Sequence, residues 1–178
     1  MQAKGDAVGA RQRMLEATMR AHASDLLAYG RVLTGSSSGA VDLVEAALAR
    51  VVGRGPLPET PDDAAVAVRA ALRRAAVRMD RGPVETPATD DPDEAATLAA
   101  LATLAPRERA VLVMRYRDGL AVDAIAIETS LRAGAVREAL TRAVEQLSAA
   151  RPGLGLRLDD VLEGGLFEST TIAIGGAR

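Results

Sequence analysis

The chain lacks cysteine and tryptophan, and its 178 residues hold one histidine, two tyrosines and one phenylalanine. Without cysteine there is no disulfide, no thiolate metal ligand and no sulfur nucleophile. With His22 alone, neither a zinc site built on histidine and cysteine nor a triad with a spare histidine can be assembled. No paired carboxylates are placed for acid–base work, and Gly35 to Gly39 has neither the preceding strand nor the Gly-Lys-Ser/Thr ending of a phosphate loop. No catalytic residue, metal or cofactor is therefore expected. No apolar run is long enough to span a bilayer. The N-terminus lacks the apolar segment of a signal peptide. The expectation is a cytoplasmic protein that does not engage a membrane.

Aromatic residues make up 2% of the chain and hydrophobic residues 48%. A core of alanine, valine and leucine fills little volume per side chain, so it requires closely spaced helices. Alanine, leucine, arginine and glutamate dominate, and all favour helix. Strand formers are scarce before the last ten residues. These features predict an all-α protein. Lysine is nearly missing too, since Lys4 is the only one; positive charge is carried by arginine. The net charge of -2 excludes a protein that coats DNA by bulk charge. Any DNA contact must come from a local patch or with a larger partner's help.

The charge divides the chain. Basic residues outnumber acidic ones up to Arg81. Gly82 to Glu94 carries only acidic groups (Glu85, Asp90, Asp91, Asp93, Glu94) together with Pro83, Pro87 and Pro92. Such a stretch has little to bury and resists helix, so it reads as a solvated linker. The expected organisation is a helical domain over residues 11–81, a linker over 82–93, a second helical domain over 94–151, and a Gly-rich acidic tail over 152–178.

Leu15, Met19, His22, Leu26, Gly30 and Leu33 recur at helical spacing, and Thr34 to Gly39 breaks the pattern. A second helix is expected from about Ala40 to Val52, with Val41, Val44, Leu48 and Val51 inward. Asp62 or Asp63 can cap a third, running to about Arg81. Its wheel sets Val68, Leu72, Ala75 and Met79 on one face. Arg69, Arg73, Arg74, Arg78 and Arg81 lie on the other half. That arginine face is either an ordinary solvated surface or a phosphate-contacting one. His22, without partner ligands, reads as a core or boundary histidine. The acidic run from Asp90 to Glu94 reads as linker or cap, not as a cation loop.

In the second half, Asp93 can cap a helix carrying Leu98, Leu101 and Leu104. Pro106 suits the first turn of the next helix, which ends at Asp118-Gly119. A short helix over about Val122–Thr129, a turn at Ser130 to Arg132, and a longer helix from Ala133 to Ala150 form the outline of a helix-turn-helix. Val122, Ile125 and Ala126 would pack on Val136, Leu140 and Leu147. The tail carries Asp159, Asp160 and Glu163, which could pair with the arginine face, then Phe167 and the weakly β-prone Thr170 to Ile174.

Two stretches resemble the extracytoplasmic-function sigma factors, in that family's order. Leu26 to Gly35, followed by Asp42 to Arg50, is similar to region 2. Leu104 to Leu120, continued by Val122 to Ala126, Gly134 to Arg137 and Arg142-Ala143, closely resembles region 4. The resemblance implies a region 2-like three-helix bundle and a region 4-like helix-turn-helix. It also implies RNA polymerase core (β′ clamp and β flap) and promoter DNA as partners, with an anti-sigma factor as a further partner class. Asp42, Glu45 and Arg50 match the positions that dock on the clamp. Arg69, Arg73, Arg74 and Arg78 would meet the -10 side of a promoter. In the helix entering the major groove at the -35 element, Arg132 and Arg137 would read bases and Arg142 would meet phosphate.

The match is somewhat degenerate. Val52 and Ala67 stand where the family places aromatics that stack on unpaired bases. Ser130 replaces the turn glycine, Arg132 the usual helix cap, and Thr129 a core leucine. Glu138 and Ala139 occupy positions that are commonly small polar and basic. Two functions stay open: an alternative sigma factor directing promoter-specific initiation, or a sigma-like adaptor that binds polymerase or another protein without initiating.

Overall fold

A computed structural model of the chain describes residues 2–53, 56–80, 82, 85, 89–158 and 162. Among these residues there are seven α-helices, one 3-10 turn and no strand. The helices are α1 (Gln2–Thr34), α2 (Ser37–Val51), α3 (Pro61–Ala76), α4 (Pro92–Thr103), α5 (Pro106–Tyr116), α6 (Val122–Thr129) and α7 (Ala133–Ala150). The all-α expectation holds. No described helix is long and apolar enough to cross a membrane.

The first three helices pack on one another. Small residues permit this. A Cβ placed on Gly30 would lie 3.1 Å from Ala40 Cβ, so glycine lets α1 and α2 approach closely. That contact also sets the inward face of α2, which buries Ala40, Leu43, Val44, Ala47 and Leu48. The expected inward position of Val41 is therefore overturned: it is 43% exposed.

Helix ends are fixed by identifiable groups. Gly35 leaves α1 with φ +76°, a left-handed geometry suited to glycine. Ser36 caps α2 by accepting the Gly39 N–H at 3.0 Å. Hence Ser37 to Gly39, expected to break the helix, form its first turn instead. The cap of α3 is Thr60, with Asp63 completing a reciprocal capping box. Asp62 instead accepts from His22 Nε2 at 2.7 Å. The cap of α4 is Asp91, ahead of the expected Asp93; it accepts from the Asp93 and Glu94 N–H groups. α3 stops at Ala76, short of Arg81, because the N–H groups of Arg78 and Met79 turn to the tighter i−3 carbonyls of Ala75 and Ala76. Arg81 itself lies outside the described residues.

In the second group α7 packs on α5 and α6. Val122, Ile125, Ala126, Val136, Leu140 and Leu147 are buried, as the helix-turn-helix pattern required. The turn is closed by Ser130 at φ 59° and by the Leu131 N–H donating to the Ala126 carbonyl at 3.1 Å. After α7, Leu156, Leu158 and Leu162 pack against the core, so the start of the tail is docked. Asp159, Asp160, Glu163, Phe167 and Thr170 to Ile174 lie outside the described residues, as do Pro83 and Pro87 of the linker.

The two groups of helices do not sit apart. One apolar cluster runs from Leu26, Leu33 and Leu72 through Leu101, Leu104 and Met114 to Leu140. α5 touches α1 and α3, and α6 touches α3.

Candidate nucleic-acid interface

The helix-turn-helix presents one side of α7. Val136, Ala139, Leu140 and Ala143 point inward and are fully buried. The residues between them, Arg137 and Glu138, are exposed, as are Arg132 ahead of the helix and Glu145 further along. Arg132 and Arg137 make no ion pair among the described residues. α7 begins without a side-chain cap at Arg132. Its first N–H groups are therefore open to an acceptor, with the positive end of the helix dipole behind them.

Arg142 is placed differently from expectation. Its Nε donates to Glu108 Oε1 at 2.7 Å, and Glu138 stands 4.0 Å from its Nη1. Glu108 is 7% exposed and also accepts the Ala105 N–H at the start of α5. Arg142 thus ties α7 to α5 through Nε, while its side chain stays 50% exposed.

The arginines of α3 separate into two sets. Arg69 is exposed and sits 5.9 Å from the centre of the Tyr29 ring, whose other neighbour is Arg117 at 5.3 Å. Arg74 is half-buried. Arg73 faces α6: Nε donates to Glu128 Oε1 at 2.8 Å and Nη1 to Asp118 Oδ2 at 3.2 Å. Its side chain is only 16% exposed. Arg78, past the helix end, donates to the Thr129 carbonyl at 3.4 Å. The expectation of a single open arginine face is corrected accordingly, because α6 and the turn before it supply acceptors for Arg73 and Arg78.

Tyr29 completes this cluster by donating to Asp118 Oδ2 at 2.5 Å. Burial, then the Asp118 carboxylate, push its hydroxyl pKa far above the ordinary tyrosine value. For Arg73, burial is the largest single influence and would lower the pKa, but the bonds and charges of Glu128 and Tyr29 together outweigh it and raise it.

Sequence reasoning missed Arg109. It is 4% exposed. Nε donates to the Leu33 carbonyl at 2.8 Å and Nη2 to the Thr34 carbonyl at 2.6 Å, at the end of α1. Nη1 reaches the Leu101 and Ala102 carbonyls at the end of α4. A cation there meets the negative ends of two helices. A Cβ at position 35 would come within 2.7 Å of Nη1, so Gly35 also makes room for this peg.

On α2, Asp42, Glu45 and Arg50 are all exposed, on the side opposite Val44 and Leu48. Behind them the α2 N-terminus is held by Glu85, which accepts the Ser37 N–H and the Ser38 hydroxyl, each at 2.6 Å. Those bonds lower the Glu85 pKa. Val52, where an aromatic was the family's habit, is buried, and its carbonyl accepts from Arg11 at 2.5 Å. It offers no stacking platform.

Comparison with known proteins agrees with this geometry. Residues 94–147, spanning α4 to most of α7, match the family model for Sigma-70, region 4. An RNA polymerase sigma-E factor from Streptomyces coelicolor is 28% identical over 150 residues, covering 74% of this chain and 82% of the relative. A continuous stretch of that share must take in α3 to α6, and so reaches back beyond region 4. With a region 4 match over its C-terminal helices and a sigma-E relative aligned through both groups of helices, the chain is similar to the RNA polymerase sigma factors.

Proposed function

We propose that this chain directs promoter-specific initiation as an alternative sigma factor. In this reading α2 docks on the polymerase β′ clamp through Asp42, Glu45 and Arg50, and the helix-turn-helix lies near the β flap. α7 enters the major groove at a -35 element, with Arg132 and Arg137 contacting bases. Arg69 and Arg74, joined by Arg73 and Arg78 when these are released, meet the -10 side. The observation that carries the reading is the exposed start of α7: two arginines outside any ion pair among the described residues, on a helix whose opposite face is locked into the core. Arginine pairs with guanine through two parallel bonds, and each such contact is worth about 1–3 kcal/mol.

The test is run-off transcription with core polymerase on a genomic promoter screen. Arg137→Ala should lower transcription from the recognised promoter at least about fivefold, the low end of that range. No transcript from any promoter sinks the reading.

The adaptor alternative draws on specific observations too. Arg142 is bonded to Glu108 through Nε, Glu138 places negative charge beside Arg137, and Val52 is buried. An adaptor would co-purify with polymerase or another protein, shift no DNA at low salt, and be indifferent to Arg137→Ala.

A further inference from the structure

Glu138 puts a negative charge on the outer face of α7, where phosphate would repel it. The buried row of Val136, Ala139, Leu140, Ala143 and Leu147 fixes the direction of the helix's core face. At 3.6 residues per turn, Glu138 lies opposite that row, and Arg137 and Arg142 flank it on either side. Its side chain is 73% exposed. One turn earlier stands Gly134, where an added Cβ would meet nothing within 4 Å. Helical side chains lean towards the N-terminus, so the approach to Glu138 is uncovered. The carboxylate therefore occupies the middle of the exposed face, with the arginines at its edges.

Arg142 offsets that charge. Glu108, only 7% exposed, accepts from Arg142 Nε at 2.7 Å, and Nη1 then stands 4.0 Å from Glu138 Oε2. A buried carboxylate on α5 thus holds the guanidinium, and the guanidinium screens the exposed carboxylate. A separation of 4.0 Å is too long for a hydrogen bond, so the Glu138 lone pairs stay available.

An ionised carboxylate accepts hydrogen bonds and cannot donate them. In the major groove guanine presents two acceptors and thymine one, whereas cytosine presents only its N4 amine. Adenine offers an amine too, but with the N7 acceptor beside it. Repulsion from N7 leaves cytosine as the best match. We infer that Glu138 is a specificity-determining residue that reads a cytosine, and that Arg142 is its positioning residue. The inference rests on the proposed entry of α7 into a -35 element. It adds a base to those the arginines select: Arg132 and Arg137 suit guanine, and Glu138 suits cytosine.

The test joins the full chain to core polymerase and offers the complex a pool of fully randomised duplexes. Duplexes that co-elute with the complex are sequenced. The parent should enrich cytosine at one position at least about fivefold over each other base, the low end of the cost of a mismatched pair. Glu138→Gln keeps the side-chain shape and gains an amide donor, which pairs with both N6 and N7 of adenine. It should move the preference at that position from cytosine to adenine and leave the other positions as they were. Glu138→Ala should level that position. The side chain is exposed, so neither change removes packing. Unchanged preferences in both variants overturn the inference. Tighter but equally selective binding by Glu138→Ala also overturns it, because the carboxylate would then be a plain repulsive charge.

Arg142→Met keeps an unbranched stem and removes the charge. It should weaken the cytosine preference and spare the positions read by Arg132 and Arg137. A uniform loss at every position would reduce Arg142 to a tie between α7 and α5 and overturn its positioning role. The two readings fail differently. Enrichment that is lost in Arg137→Ala but untouched by the Glu138 variants overturns the role of Glu138 alone. A parent pool with no enriched base overturns promoter recognition, and Glu138 with it.

Discussion

A guanidinium taken from water needs its donors met, and Arg109 finds backbone carbonyls at the ends of two helices. The same logic governs Tyr29, whose hydroxyl must stay protonated to donate to Asp118. Burial and the neighbouring carboxylate raise its folded pKa, so the folded state holds this proton where the unfolded chain, with a pKa of about 10, has lost it. The stability it contributes is complete below about pH 10 and is lost as pH rises towards the folded value. Urea titrations between about pH 9 and 11 should show stability falling with pH in the parent. Tyr29→Phe should be less stable at neutral pH and show a flatter slope in that window. An equal slope in both proteins would mean that Tyr29 does not carry the effect.

At the scale of the element, the helix-turn-helix was the most legible part. Its apolar residues alternate between α6 and α7 at helical spacing, and burial follows that spacing directly. Helix starts were less legible, because several acceptors stand close together. Thr60, Asp62 and Asp63 can each cap α3, and only the fold shows that His22 occupies Asp62. Likewise Ser36 wins over Ser37 and Ser38, since its side chain reaches the Gly39 N–H while Glu85 takes the groups behind it. The candidate arginines on α3 and α7 could be named from one-dimensional spacing. Their partners could not, because Glu128 lies 55 residues from Arg73, and Glu108 34 residues from Arg142.

The turn between α6 and α7 supplies a prediction of its own. Ser130 holds φ 59°, where a side chain meets steric resistance that glycine avoids. Ser130→Gly should stabilise the protein by about 1 kcal/mol, the usual penalty for an L-residue in that region. Thermal unfolding measures it, and a lower melting temperature would show that the serine relieves more strain than it creates.

Across the whole molecule, the sequence suggested two bodies on an acidic tether, because composition reports solvation and not which surfaces meet. The structure joins the groups through one apolar cluster and a buried arginine. Urea unfolding should then be a single transition, with circular dichroism and tyrosine fluorescence coinciding. Separated midpoints would show that the groups unfold independently. Loosening the Arg73 contacts with Asp118→Asn and Glu128→Gln should broaden or split that transition.

The position of Arg109 also orders events during synthesis. The carbonyls of Leu33 and Thr34 lie 76 and 75 residues ahead of the side chain that binds them. At about 5–20 residues per second, that gap is about 4–15 s on the ribosome. Through that interval the end of α1 is complete in sequence and incomplete in bonding. α1 to α3 can gather around Leu26, Leu33 and Leu72 while the last turn of α1 frays into water. Arrival of α5 finishes a helix that began more than a hundred residues earlier.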